Sequence, residues 1–180
     1  MKKLLMTFAA VLCCAMTTTV ITACGSDDDD DTKPDQDVAV AALMDYKFTT
    51  SQEMLQSFDL TIDYYDANGN VQTEQFTTTE WKKSVKSTKF PAKLGARLKA
   101  KLKSGVDPNS RIKVDYGYAY HGYSVNAKDQ VLGIMVSGDI SESSTISIGQ
   151  VNAWLDEHSD GLVKYLFTFD TKGIPTDTNW

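Results

Sequence analysis

The sequence predicts an all-β fold: an antiparallel meander of about seven strands forming a sandwich or partial barrel, with one helix before the last strand. Three observations predict it. Past residue 37 the apolar residues recur mostly at every second position, the rhythm of a strand with one buried face. These stretches are bounded by short clusters of Asp, Asn, Gly and Pro suited to tight turns. Only Ile148 to His158 repeats at helical spacing.

Val40, Ala42, Met44, Tyr46 and Phe48 form the first predicted strand. Phe58, Leu60, Ile62 and Tyr64 form the second, with Asp59, Thr61 and Asp63 on the opposite face. Asp66-Ala67-Asn68-Gly69-Asn70 supplies the residues that tolerate positive φ in a hairpin, and Val71 to Thr77 is the return strand. Leu94, Ala96, Leu98, Ala100 and Leu102 alternate with basic residues or Gly95. Their composition favours a helix, but at about 3.6 residues per turn these side chains would scatter around the axis. The spacing therefore predicts a strand starting after Pro91, with Leu98 facing the core and Lys99 facing water.

Asp107-Pro108-Asn109-Ser110 is a turn, and Ile112, Val114, Tyr116, Tyr118 and Tyr120 share the next apolar face. Ala127-Lys128-Asp129 turns into Val131 to Ile140, whose apolar density reads as a more fully buried strand. The helix follows, with Ser147 as N-cap and Gln150 as its capping-box partner. Ile148, Val151, Trp154, Leu155 and His158 lie on one helical face, and Gly161 is placed to stop it. Val163, Tyr165, Phe167 and Phe169 make the final strand, leaving Thr171 to Trp180 as a tail or edge extension.

The N-terminal fifth of the sequence is different. Lys2 and Lys3 precede an apolar run from Leu4 to about Met16, too short for the roughly 20 residues of a spanning helix. A charged start, a short apolar core and small residues at a cleavage point are the anatomy of a secretory signal peptide. Ile21-Thr22-Ala23-Cys24 looks like a bacterial lipobox, and Gly25-Ser26 leads into five aspartates, Asp27 to Asp31. Residues 1–33 thus resemble the leader of surface-exposed lipoproteins of the Bacteroidetes. The resemblance implies lipidation at Cys24, which would become the first residue of the mature chain. It also implies localisation at the cell outer membrane, facing the exterior. The expected organisation is a signal peptide over 1–23, the lipidated cysteine and acidic flexible tether over 24–37, and a single β-rich domain over 38–180. A single acyl chain anchors marginally, whereas two or more make attachment to the membrane stable.

On this reading Cys13 and Cys14 leave with the signal peptide and Cys24 is consumed by the lipid. The domain then has no disulfide, no cysteine-based zinc site and no cysteine nucleophile, and must rely on the core that roughly 140 residues can bury. The formal charge of −6 is concentrated in the tether: Asp27 to Asp37 holds seven acids and one lysine. Lys82, Lys83, Lys86, Lys89, Lys93, Arg97, Lys99, Lys101 and Lys103 fall in a window free of Asp and Glu. Nucleic acid would want such a patch, but no aromatic residue punctuates Lys99–Lys103, so a solvated strand face is expected and no nucleic-acid partner.

Chemistry is sparse. His121 and His158 have no metal-ligand or triad spacing, and no metal or cofactor is expected. Ser124 lacks the second glycine of a nucleophile elbow. Asp66, Asn68 and Asn70 alternate as in a calcium loop, but the glycine register is that of a hairpin. Tyr116, Tyr118, Tyr120 and Tyr123, with Trp81, are the candidate ligand-binding aromatics for a glycan face, although the tyrosine stripe also continues the core face of Ile112 and Val114. The expected function is therefore a non-enzymatic, lipid-anchored surface module with a glycan or protein partner. Two alternatives stand beside it. One is a hydrolase acting on a surface polymer through Ser124 or a pair among Glu74, Glu80, Asp115 and Asp139. The other is an apolar-ligand carrier with a lipocalin-like barrel.

Overall fold

Strict alternation along Ala41–Thr50 buries Ala42, Met44, Tyr46 and Phe48 and turns Asp45 and Lys47 outward. This strand, β1, is central to the molecule. The computed structural model describes residues 38–107 and 109–180; the predicted signal segment, Cys24 and the acidic tether lie outside the described residues.

After β1 a single short helix, α1 (Gln52–Ser57), starts where the Ser51 hydroxyl accepts from Met54 N at 3.2 Å. It buries Met54 completely against the core. The chain continues as β2 (Phe58–Tyr65), β3 (Val71–Phe76), β4 (Glu80–Ser87), β5 (Ala92–Leu102), β6 (Arg111–Val125) and β7 (Val131–Ser147). The helix α2 (Ile148–Glu157) precedes β8 (Val163–Phe169) and a three-residue β9 (Pro175–Asp177). All pairings are antiparallel and form two sheets, a four-stranded one ordered β4-β1-β6-β7 and a five-stranded one ordered β3-β2-β5-β8-β9.

The result is a β-sandwich with open edges. Its core interleaves Met44, Tyr46, Phe48, Ile112 and Val114 from one sheet with Leu60, Ile62, Leu94, Leu98 and Phe169 from the other. Burying each such side chain contributes about 1.5–3 kcal/mol relative to leaving it exposed. Aromatic rings fill the middle: Tyr165 of β8 lies 4.3 Å from Tyr120, 6.2 Å from Tyr46 and 6.4 Å from Phe48, centroid to centroid. α2 packs Trp154 on Phe58 at 5.9 Å.

The β5 reading holds: Leu94, Ala96 and Leu98 are fully buried while Lys93 and Lys101 are exposed. The β2–β3 hairpin closes as expected, with Gly69 at φ 81° and Asn68 N and Asn70 N both donating to Asp66 Oδ1. Four features differ. There are nine strands, because Glu80–Ser87 and Pro175–Asp177 also pair. The order departs from a strict meander: only β2–β3, β6–β7 and β8–β9 are neighbours in both chain and sheet, and the other connections cross between layers. At α2 Ser147 is the N-cap, but its hydroxyl bonds Gln150 Oε1 at 2.8 Å rather than the backbone. Finally, β7 is not a buried strand but one of the most exposed. It lies beyond β6 at the sheet edge, opposite a β9 too short to cover it.

Candidate functional site

Antiparallel register turns the outer face of the four-stranded sheet into a grid. Reading across β4, β1, β6 and β7, one row is Lys82, Lys47, Ala119 and Asp139, and the next is Ser84, Asp45, His121 and Ser137. A third row carries Lys86, Leu43 and Tyr123. Successive rows lie about 7 Å apart along the strands. Small Ala119 beside long Lys47 and His121 leaves a trough where a larger side chain would fill the surface.

Two open hollows occupy this face. The first, of about 450 Å³, lies among Asp45, Lys47, Lys82, Ser84, Ala119 and His121. The second, of about 440 Å³, lies among Leu43, Lys86, His121, Tyr123, Asp129 and Met135. Both are lined in part by Asp45 and His121, so they adjoin at that row as one open groove. The Tyr123 and His121 rings stand 5.5 Å apart at 52°, presenting one aromatic wall. Glu80 holds Lys82 at 2.8 Å and Lys47 at 3.4 Å, and Asp45 accepts from the Ser84 hydroxyl. The Glu80 carboxyl is held below its ordinary range by the hydrogen bond from Lys82. The groove is thus lined by oriented ammonium, carboxylate, hydroxyl and imidazole groups around one phenol.

The five candidate aromatics fall in four places. Tyr116 is buried in the core, donating to Glu142 Oε2 at 2.8 Å, and burial followed by that carboxylate pushes its phenol up. Tyr118 and Tyr120 are half-buried between the sheets, with parallel rings 6.2 Å apart stacked toward Tyr165. Gly138 makes room for this stack, since a Cβ there would meet the Tyr120 ring at 2.6 Å. Tyr123 lines the second hollow of the outer face, and Tyr120 also borders the first. Trp81 is on β4 at the far side, packed on Phe48 and Tyr64 at 5.9 and 5.7 Å.

The polar candidates are similarly dispersed. Glu74 accepts from Lys83 at 2.7 Å, Trp81 Nε1 at 2.8 Å and the Tyr64 hydroxyl at 2.7 Å, and the lysine foremost lowers its carboxyl to about 2. Asp115 pairs with Lys113 at 3.1 Å, and Asp139 stands at the groove's β7 end. Ser124 is fully buried, its hydroxyl donating to Gly173 O at 3.0 Å and Leu132 O at 3.2 Å. His158 Nδ1 lies 2.7 Å from Trp154 O. The basic window is split across the molecule: Lys82 and Lys86 border the groove, Lys83 holds Glu74, and Arg97 and Lys99 hold Asp63.

Asp45, Lys47 and Ser84 had no signal in the sequence that joined them to His121. They meet only through the pairing of β1 with both β4 and β6. Among the described residues no helix is long and apolar enough to cross a membrane. Compared with known proteins, the chain matches no family model, no curated protein and no solved structure.

Proposed function

We propose that the protein is a lipid-anchored cell-envelope module, non-enzymatic, that binds an extended glycan along the outer groove of the four-stranded sheet. The observation that carries this reading is the pair of hollows that adjoin at Asp45 and His121. Their rows, Lys47 to Leu43, span about 14 Å along the strands, enough for two to three sugar rings. Alternating donors and acceptors suit sugar hydroxyls, Tyr123 offers a ring face, and Lys82 and Lys86 favour a glycan that carries carboxylate groups. The anchor is supported by Ile21-Thr22-Ala23-Cys24 and the acidic stretch behind it. A protein segment is the competing occupant of the same groove.

Two features support binding over the alternatives. Glu74, Glu80 and Asp115 are each engaged by a lysine. The space between the sheets is filled by aromatic side chains where a carrier would need room.

A glycan array probed with the Cys24→Ser chain tests the reading. Selective retention of uronate-bearing glycans is expected, reduced at least tenfold by Tyr123→Ala or His121→Ala and unchanged by Thr61→Ala on the other sheet. Equal retention by all three variants would remove the groove from the function.

A further inference from the structure

Four strands edge the two sheets, and they are not protected alike. An open edge is a template for another strand, which proteins discourage with lysines, prolines and shortness. β4 places Lys82, Lys83 and Lys86 in eight residues. β9 is three residues long and begins with Pro175, and β3 is six residues long. β7 runs for 17 residues, VLGIMVSGDISESSTIS, without Lys, Arg or Pro. On it Ile134, Met135 and Ile140 are 67%, 56% and 47% exposed.

The backbone phase of this edge follows from its neighbours. The Asp115 carbonyl turns toward β1, accepting from Ser51 N at 3.3 Å and the Thr50 hydroxyl at 2.9 Å. In an antiparallel ladder a residue's N–H and C=O point to the same side, so Asp115 and its partner Ser143 turn their backbone groups away from each other. By alternation, Ser137, Asp139, Ser141, Ser143 and Thr145 each direct one donor and one acceptor to the open edge. No strand lies beyond them among the described residues.

We propose that β7 pairs antiparallel with β7 of a second copy about a two-fold axis at Ile140, joining two four-stranded sheets into one of eight. A second copy supplies a strand of equal length that equally lacks lysine. In this register the edge-directed residues meet one another, Asp139 with Ser141 and Ser137 with Ser143, as hydrogen-bonded pairs must. Ile140 meets Ile140 on the inner face, and the register shift of β7 opposite Tyr123 lies beyond Val136, outside this central pairing. Charge is accommodated too. Asp139 lies opposite Ser141 and Glu142 opposite Gly138, so no carboxylate faces a carboxylate. Centring one residue later would set Glu142 against Ile140. The pairing is isologous and closes on itself, and it sets the two glycan grooves on one continuous face.

Cysteine cross-linking tests the interface in cells that export the protein. Ile140→Cys sits at a non-hydrogen-bonded pair, where Cα atoms are about 4.5 Å apart, within the reach of a disulfide. Oxidation is expected to give a covalent dimer that is absent from the unchanged chain, which serves as control for Cys24. The more exposed Ile134→Cys lies far from its counterpart in the other copy and should cross-link far less. Adding Ser141→Pro to Ile140→Cys should abolish the dimer, because it removes an edge-directed N–H and none that β6 uses. No dimer at Ile140→Cys, equal dimer at both positions, or a dimer that survives Ser141→Pro in folded protein would each overturn the proposal. If Ser141→Pro unfolds, amide exchange of the unchanged chain decides. Slowing from Ser137 to Thr145 as protein concentration rises supports the dimer, and concentration-independent fast exchange overturns it.

Discussion

The outer faces of the two sheets are both built from alternate residues of their strands and use them in opposite ways. On the five-stranded sheet the charges are consumed internally. Asp63, its side chain only 4% exposed, accepts from Arg97 Nε at 2.9 Å, Lys99 Nζ at 2.6 Å and the Thr73 hydroxyl at 2.6 Å. Trp180 then lies over the Arg97 guanidinium at 4.7 Å and beside Tyr65 at 5.0 Å, its Nε1 donating to Tyr165 O at 3.1 Å. On the four-stranded sheet the polar groups line hollows: Asp45, Lys82 and His121 border the first, even though Glu80 holds Lys82 and Lys47 from the side. A run of lysines in the sequence therefore says little about a binding surface. What counts is what the neighbouring strand sets directly opposite: β2 sets buried Asp63 against Arg97, whereas β6 sets small Ala119 against Lys47 and leaves a hollow, with Glu80 reaching Lys47 only from the side.

The comparison breaks most severely at the core beneath the five-stranded sheet. Leu98→Asp should cost more than about 4 kcal/mol, since it places an unpaired carboxylate among fully buried side chains. Urea unfolding followed by tryptophan fluorescence will measure it. Asp63→Ala comes next, at about 2–3 kcal/mol. That is less than the roughly 3–5 kcal/mol of a fully buried pair, because Lys99 keeps contact with water. Asp45→Ala, the corresponding change on the other face, should alter urea stability by less than about 0.5 kcal/mol yet abolish retention on the glycan array.

A pH titration sharpens the same contrast at lower amplitude. Burial raises the Asp63 carboxyl, but the hydrogen bonds from Lys99, Thr73 and Arg97 outweigh it and leave the group below its ordinary value. Its stabilising contribution is complete above the ordinary aspartate range and is lost as pH falls through the folded value. Glu74 behaves likewise, complete above 4.5 and lost between there and about 2. Glu74→Gln should therefore flatten the acid limb of a stability–pH curve by lowering stability above about pH 4.5, while leaving stability near pH 2 least affected. The smallest effect belongs to Lys101→Asp, within about 0.5 kcal/mol of the unchanged protein. Lys99→Asp, which strand alternation alone would place in water and call neutral, should cost more because Lys99 holds Asp63.

What was legible in the sequence is what alternation controls. β5 was readable through Leu94, Ala96 and Leu98, and the β2–β3 turn through Asp66, Asn68 and Gly69, because burial and positive φ leave direct marks. β4 left almost none. Its Val85 is the one fully apolar buried residue among Lys82, Lys83 and Lys86, since an edge strand exposes one face and one flank. α1 is six residues long, too brief for a helical period to show. β7 misled in the other direction: its apolar density marks an open edge, and density alone does not distinguish an edge from a centre. Of the groove, Tyr123 was legible as an aromatic candidate, but its neighbours Asp45, Ser84 and Lys86 depend on long-range register that no local pattern records.

The placement of β1 also has a mechanical meaning. Val40 N donates to Val125 O and Ala39 N to Thr171 O, so the chain runs straight into β1, which pairs with β4 over Ala42–Thr49 and with β6 over Ala41–Thr50. A pull on the chain at Val38 travels along the axis of β1 and loads both ladders lengthwise. Bonds stressed that way share the force and must yield together, whereas a strand peeled from its end releases them one at a time. A load applied between Val38 and the groove on the same sheet would thus meet the domain in its stiffest direction.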